Sequence, residues 1–131
     1  MIIIYEFLGY LLVPIIKINL WLRIIQKKED KKRYKERFGY SKVVKPAGKL
    51  IWIHAASVGE LKSAGLIINY YHKNYNILVT TTTLTAAKYA KLNYGTKIIH
   101  QFAPLDIKLW VNRFLNNWKP SLCIWIESDL W

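Results

Sequence analysis

Residues 49–131 alternate between short apolar runs and longer segments with helical spacing, and this rhythm constrains the fold more than any other feature. The apolar runs are rich in β-branched residues and predict strands at 50–54, 76–82, 97–102 and 121–127. The segments between them have apolar residues at intervals of three and four and predict helices at 60–73, 85–93 and 106–118. Apolar strands joined by such helices form parallel sheets that are covered on both faces. The sequence therefore predicts an α/β domain.

The carboxyl ends of the predicted strands carry the least ordinary stretches of the sequence. These stretches are 54–60, 80–83, 101–106 and 127–131. In open parallel sheets, ligands bind outside the carboxyl ends of the strands. We therefore expect a binding or catalytic site at this edge of the sheet.

Residues 1–26 form an apolar segment ahead of the domain, and residues 27–48 form a basic collar and linker. The uninterrupted apolar part, 7–16, is shorter than the ~20 residues that a membrane-spanning helix needs. A cleaved secretory signal is a poor interpretation, because no basic region precedes the segment and no small-residue cleavage site follows it. An apolar helix followed by basic residues favours attachment to an anionic membrane on its cytoplasmic side. The alternative is a helix docked on its own domain, followed by a solvated charged face.

The chain of 131 residues is long enough for one domain with a core, and its net charge is +12. A positive surface favours phosphates, nucleic acid or anionic lipid as partners. Nucleic acid is the least favoured of these, because the sequence lacks a helix-turn-helix, a zinc pattern and an aromatic strand motif. The single Cys123 excludes a disulfide framework or a cysteine zinc site within the chain and agrees with a reducing, cytoplasmic setting.

The stretch HAASVGE, residues 54–60, joins the first predicted strand to the first predicted helix. Ser57 followed by Glu60 fits a capping box, in which the hydroxyl and the carboxylate each accept a backbone N–H at the helix start. A functional Glu60 would instead point into the crevice at the strand ends and take a proton from an alcohol. Small residues such as Gly59 would let a substrate approach the backbone closely. The pattern alone favours the cap, because capping boxes are common and catalytic glutamates are rare.

AASVG, residues 55–59, also resembles a nucleophile elbow centred on Ser57, with alanine in place of the first glycine. A serine hydrolase with this arrangement needs an acid and then a histidine further along the chain. No histidine follows Asp106, so the hydrolase hypothesis fails unless a segment outside the chain supplies one.

The other polar residues at the strand ends have both structural and functional interpretations. TTTLT, residues 81–85, lacks the glycines and lysine of a P-loop and is typical of a strand end followed by a helix cap. His54 and His100 show no spacing typical of a metal site. Asp106 is expected to begin the third helix, and Glu127 either caps the next turn or belongs to the site.

Five motifs follow one another along the chain: ERFG (36–39), IWIHAASVGE (51–60), TTTLT (81–85), HQFAPLD (100–106) and ESDLW (127–131). In order, spacing and content they resemble the N-terminal domain of the Kdo transferases, which add 3-deoxy-D-manno-octulosonic acid to a lipid A precursor. The second motif is the most specific of the five. The apolar N-terminal segment is similar as well, so the resemblance covers nearly the whole chain.

The resemblance implies the Rossmann-like N-terminal half of a two-domain glycosyltransferase of the GT-B type, preceded by a membrane-anchor helix at the cytoplasmic face of the inner membrane. It implies transfer of Kdo from CMP-Kdo to lipid IVA in lipopolysaccharide biosynthesis, without a metal or other cofactor. Carried over by motif, Glu60 is the general base that deprotonates the acceptor hydroxyl in an inverting reaction, and Glu127 is a second carboxylate of the acceptor side. The motifs assign to acceptor binding His54, Ser57, Gly59, Thr81, Thr82, Thr83, Gln101 and Asp106.

The sequence departs from the family pattern at three points. Ala86 follows the threonine run where glycine is usual, and Asp129 stands in place of glutamate. The sequence stops at Trp131, where the family continues with a donor-binding domain, so we expect that domain to come from elsewhere, for example from a separate chain. We therefore expect the chain alone to transfer no sugar. The competing hypothesis is a non-enzymatic remnant or binding domain on the membrane.

Overall fold

The computed structural model describes residues 1–127 and shows a parallel sheet with helices on both sides. Its strands are β1 (Leu50–Ala55), β2 (Asn76–Thr81), β3 (Ile99–Phe102) and β4 (Leu122–Ile126). Its α-helices are α1 (Ile2–Ile25), α2 (Val58–Ser63), α3 (Gly65–Tyr71), α4 (Leu84–Tyr94) and α5 (Lys108–Trp118). Short 3-10 helices occur at Tyr34–Phe38 and Gly95–Lys97. The predicted strands and the α/β class are confirmed.

The strand order is β3-β2-β1-β4, and each neighbouring pair is parallel. The chain moves outward from β1 to β3 and then returns to place β4 on the other side of β1. Such a reversal opens a crevice at the carboxyl ends of the two strands that flank it, here β1 and β4. Because Ala55 pairs with Ile126, the segments that leave these two strands start side by side.

Different helices cover the two faces of the sheet. On one face, α2, α3 and α4 pack on the central strands, and this cluster includes Ile53, Leu61, Ile68, Val79 and Ala90. On the other face, α5 packs on β1 and β2, and this cluster includes Leu50, Leu78, Phe114 and Trp118. Burial of each large apolar side chain contributes about 1.5–3 kcal/mol, so these two layers hold the strand ends in place.

The predicted helix at 60–73 forms as two helices, α2 and α3, which meet at Ala64. The hydroxyl of Tyr94 donates to the carbonyl oxygen of Leu61 beside this junction (3.2 Å). A Cβ atom at residue 65 would lie only 2.9 Å from the same hydroxyl oxygen, so Gly65 makes room for Tyr94. A side chain that inserts into the hydrogen-bond ladder of a helix is a known cause of such a break, and the sequence pattern gave no sign of it.

Helix α1 lies along the body of the domain. Near its start, Tyr5 donates its hydroxyl proton to Asp106 Oδ2 (3.0 Å), and Glu6 Oε1 pairs with Lys108 Nζ (2.7 Å). Near its end, Leu20 is buried. Most of its other residues are apolar and exposed, and its length and composition are sufficient to cross a membrane. The helix is therefore docked on its own domain along one side and has an uncovered apolar surface on the other.

Candidate active site

Glu60 lies in the first turn of α2, at the crevice between β1 and β4. Its Oε2 atom accepts the backbone N–H groups of Ala56 (2.6 Å) and Ser57 (3.4 Å), and Ser57 Oγ accepts the N–H of Glu60 (3.4 Å). These reciprocal contacts form a capping box, so the structural interpretation of the motif is confirmed. They also fix a half-buried carboxylate at the strand end. A Cβ atom at Gly59 would meet only Ser57 Oγ, at 4.0 Å, so the space beside Gly59 is open.

His54 forms the buried floor of the crevice. Its ring lies against that of Trp125, with 4.1 Å between the ring centroids. Thr80 Oγ1 accepts the indole N–H of Trp52 (2.9 Å) and also lies 2.8 Å from His54 Nδ1. This hydrogen bond fixes the orientation of the His54 ring. Since Nδ1 is engaged by Thr80 and the Ser57 hydroxyl caps α2, the geometry gives no support to the serine hydrolase hypothesis.

The electrostatics of His54 bring three predicted site residues together. Burial lowers the pKa of His54, and the negative charges of Glu60 and Glu127 act in the opposite direction. Both carboxylates thus act on the same imidazole, and because burial prevails, His54 is neutral near pH 7. Glu127 is exposed, and residues 128–131, which include Asp129, lie outside the described part of the chain. Within residues 1–127, no group of three or more His, Cys, Asp or Glu side chains is arranged to hold a metal ion.

Thr81, Thr82 and Thr83, at the end of β2 and just after it, have different contacts. Thr81 is buried, and its Oγ1 lies 2.7 Å from His100 Nε2. Thr82 is exposed, and its N–H donates to the carbonyl oxygen of Ala56 (3.1 Å), which ties the loop after β2 to the loop after β1. Thr83 caps α4 with its hydroxyl oxygen. The predicted strand end and helix cap are confirmed, and Thr82 is the member of the run that joins the crevice.

Gln101 and Asp106, both assigned by motif to acceptor binding, lie in different environments. Gln101 is buried; its Oε1 accepts the indole N–H of Trp118 (2.8 Å), and its Nε2 donates to the carbonyl oxygen of Tyr40 (3.2 Å). Its amide is thus engaged within the core. Asp106 is exposed and accepts the hydroxyl of Tyr5 from α1. The prediction that Asp106 begins the third helix is wrong by two residues, because α5 begins at Lys108.

Sequence reasoning missed a charged cluster that braces the ends of β2 and β3. Arg33 pairs with Glu36 through Nε and Nη2, each 2.9 Å from a carboxylate oxygen, and Glu36 Oε2 accepts the N–H of Phe102 (2.8 Å). Arg33 Nη2 also donates to His100 Nδ1 (3.0 Å). Burial, with the positive charge of Arg33 as the next cause, lowers the pKa of His100 to about 3. His100 is therefore a neutral structural link in this cluster.

A second pair from the same charged run is buried. Arg37 Nη2 lies 3.2 Å from both carboxylate oxygens of Glu29 and also donates to the carbonyl oxygen of Thr82. Gly39 follows with φ +81°, where a Cβ atom would overlap the carbonyl oxygen of Trp110. The expectation of a wholly solvated or lipid-facing collar fails for these residues, because Glu29 and Arg37 pair with each other and Arg37 also binds the end of β2. The ERFG motif contributed to the family resemblance, but no role for Arg37 was drawn from it.

A parallel sheet whose strand order reverses beside β1 is the plan of a Rossmann-like α/β domain, a class that binds its ligands at this edge. Within that class, the chain belongs to the 3-deoxy-D-manno-octulosonic-acid transferase (kdotransferase) family, whose N-terminal profile matches residues 32–131. The resemblance found in the five motifs is thereby confirmed. No solved structure matches the chain significantly.

Curated relatives carry the same family description. The chain is 42% identical over 130 residues to the 3-deoxy-D-manno-octulosonic acid transferase of Rickettsia bellii, covering 97% of this chain and 31% of the relative. It is 39% identical over 130 residues to a probable mitochondrial 3-deoxy-D-manno-octulosonic acid transferase of Arabidopsis thaliana, covering 97% and 29%. The Haemophilus influenzae transferase is 34% identical over 122 residues, covering 90% and 29%. The chain thus spans about a third of the length of these relatives.

Proposed function

We propose that this chain forms the acceptor-binding half of a Kdo transferase, which transfers Kdo from CMP-Kdo to lipid IVA in lipopolysaccharide biosynthesis. The observation that carries the proposal is the oriented carboxylate of Glu60 at the carboxyl edge of the sheet, where its charge and that of Glu127 both act on a neutral His54. The family to which the chain belongs supports the sugar and the reaction class. The donor CMP-Kdo would be held mainly by a further domain, and no metal takes part.

Glu60 would act as the general base. The acceptor hydroxyl attacks the anomeric carbon of Kdo, its proton passes to Glu60, and the bond from that carbon to the CMP phosphate breaks, with inversion. The N–H groups of Ala56 and Ser57 hold Oε2, so the carboxylate keeps one orientation while the acceptor enters. Such positioning of a base contributes typically 10²–10⁴-fold to a rate. The capping box and the catalytic role are then two uses of one side chain.

The neighbouring residues would position the acceptor. Glu127 is exposed on the β4 side of the crevice and would accept a hydrogen bond from a second hydroxyl of the sugar acceptor. Thr82, tied to Ala56, would contribute an exposed hydroxyl on the β2 side. His54 would support the floor of the crevice and, as a neutral ring, would add no positive charge beside the base.

Membrane attachment through α1 fits this acceptor. Contacts with the body extend from Tyr5 to Arg23, about 27 Å along the helix axis, which is close to the ~30 Å thickness of a bilayer core. If α1 crossed the bilayer, the polar body that contacts it over that length would have to lie within the hydrocarbon core. We therefore place α1 in the plane of the cytoplasmic leaflet of the inner membrane, with its outer face in lipid, as for other monotopic helices. The net charge of +12 favours anionic lipid there.

The exposed apolar face of α1 is large enough to bind lipid. It includes Ile3, Ile4, Phe7, Leu11, Ile15, Ile18 and Leu22. Sedimentation with vesicles tests the attachment: the chain should pellet with phosphatidylglycerol vesicles and less with phosphatidylcholine vesicles. A chain that remains in the supernatant with both, or that prefers duplex DNA, would contradict membrane attachment.

Transfer assays test the proposed activity. The chain alone, incubated with CMP-Kdo and lipid IVA, should release no CMP and form no glycosylated lipid. Addition of a family donor-binding domain, as a separate or fused chain, should produce transfer. Glu60→Gln should lower that transfer about 100-fold or more, since an amide cannot accept the proton. The matched control is Glu6→Gln, which removes a carboxylate from α1 and should leave the rate nearly unchanged.

Two outcomes would overturn the proposal. Product formed by the chain alone would show that the donor site lies within these residues. Full transfer by the Glu60→Gln protein would refute the base assignment. If no donor-binding domain yields transfer while the chain still binds membranes, the non-enzymatic binding domain becomes the better hypothesis.

A further inference from the structure

A groove separates α1 from the body of the domain. It has a volume of about 610 Å³, within the roughly 300–1,000 Å³ of ligand-binding clefts. Its apolar lining comes from α1 and from the loop before α5: Leu8, Leu12, Ile16, Leu20, Leu105 and Ile107. From Leu8 to Leu20 the groove follows α1 for about 18 Å, so it suits a long, narrow apolar ligand better than a compact head group.

One end of this groove is polar and lies beside the candidate active site. It is lined by Arg23, Glu29, Arg37 and Thr82. Thr82 donates its N–H to Ala56, in the loop that also positions Glu60. A ligand in the groove would therefore emerge next to the β1 and β2 strand ends.

The polar end carries a surplus of positive charge. Arg37 is buried and already engaged by Glu29 and by the carbonyl oxygen of Thr82. Arg23 has a side chain 46% exposed, and its nearest approach to Glu29 is 3.7 Å, so it can turn to a second anion. Two guanidinium groups share one carboxylate here, which complements a phosphate group.

We propose that this groove binds one acyl chain of the phosphorylated glycolipid acceptor, with Arg23 directed to the phosphate. The proposal rests on the proposed function and adds how the acceptor is held. Because the outer face of α1 faces lipid, an acyl chain can pass from the bilayer into the groove without exposure to water. The chain exchanges one apolar environment for another, so the favourable free energy comes from covering the apolar lining of the groove, which solvent would otherwise contact. The acyl chain thereby fixes the distance between the membrane and the acceptor hydroxyl.

Photolabelling in vesicles tests the groove. The full chain is bound to phosphatidylglycerol vesicles that contain either lipid IVA with a diazirine at the end of one acyl chain or phosphatidylglycerol with the same group. After irradiation, labelled residues are mapped by mass spectrometry. The lipid IVA probe should label the loop of Leu105 and Ile107, and the phosphatidylglycerol probe should label only the outer face of α1.

A matched pair of substitutions sharpens the test. Leu12→Trp fills the groove and should reduce labelling of Ile107 by lipid IVA roughly fivefold or more. Leu11→Trp adds the same side chain on the outer face of α1 and should not reduce it. The two-probe comparison on the unchanged chain needs no variant, so it stands even if Leu12→Trp fails to fold.

Any of three results would contradict the groove proposal. These results are equal labelling of Ile107 by both probes, labelling by lipid IVA that is confined to the outer face of α1, and labelling of Ile107 that Leu12→Trp leaves unchanged. The readout requires neither donor nor transfer. A labelled groove in a chain that transfers no Kdo even when a donor-binding domain is supplied would therefore contradict the proposed function alone, whereas transfer with an unlabelled groove would contradict the groove proposal alone.

Discussion

The two roles of the capping box can be separated by measuring stability and transfer on the same variants. Ser57→Ala removes the hydroxyl acceptor at the helix start and should cost about 1 kcal/mol of unfolding free energy. Glu60→Ala removes a charged acceptor shared by two backbone N–H groups, at 2.6 and 3.4 Å, and should cost about 2 kcal/mol. Glu60→Gln keeps an acceptor oxygen and should cost less than ~1 kcal/mol.

Transfer should follow a different order from stability. Urea unfolding gives the stabilities, and transfer is measured with a donor-binding domain supplied. Glu60→Gln, the mildest change for the fold, should lower transfer about 100-fold or more, because the general base is lost. Ser57→Ala, although less stable, should keep most of the rate. If transfer instead falls in proportion to stability across the series, or if Glu60→Gln remains active, Glu60 serves only as a cap and the reasoning is refuted.

Three further predictions concern Gly39, Glu29 and His100. Gly39→Ala should lower the free energy of unfolding in urea by about 2–4 kcal/mol, because the cost of a positive φ adds to the cost of the overlap with the carbonyl oxygen of Trp110. A change below ~1 kcal/mol would contradict this close packing. Glu29→Gln should cost about 3–5 kcal/mol by leaving Arg37 buried without its counter-charge, and Glu29→Met with Arg37→Met should recover part of that loss. The pKa of His100 falls from its ordinary 6.5 to about 3 on folding, so between these pH values unfolding takes up a proton. The free energy of unfolding should therefore decrease as the pH falls from 6.5 towards 3, by at most ~1.4 kcal/mol per pH unit. His100→Gln should remove that pH dependence.

The sheet could be predicted because its signal is local. Continuous β-branched runs such as 76–82 are typical of buried strands. The helices between these runs favour parallel pairing of the strands. The position of the crevice followed from topology, since ligand sites of open parallel sheets lie at the strand ends. The capping box of Ser57 and Glu60 also depends only on residues close in sequence, and it formed as predicted.

The features that sequence reasoning missed depend on distant partners. Arg37 resembles one more basic residue of a solvated run, and its distant partner, the carbonyl oxygen of Thr82 at the end of β2, is brought to it only by the fold. The break between α2 and α3 is set by Tyr94, which lies about thirty residues further on in the chain. The docking of α1 through Asp106 likewise joins residues that no periodicity connects. A charge run or a helical pattern therefore predicts an element but does not reveal which of its side chains are buried.

A direct test of the acceptor-half assignment is a comparison of what the chain binds. The chain in zwitterionic micelles is titrated with lipid IVA and, separately, with CMP-Kdo, while the backbone amide signals of Ala56, Ser57 and Thr82 are followed by NMR. The amides of Ala56 and Ser57 donate to Glu60, and that of Thr82, which also lines the groove, donates to the carbonyl oxygen of Ala56. We predict that lipid IVA shifts all three signals and that CMP-Kdo shifts none. Shifts caused by CMP-Kdo at these amides, or by lipid IVA only along α1, would contradict it.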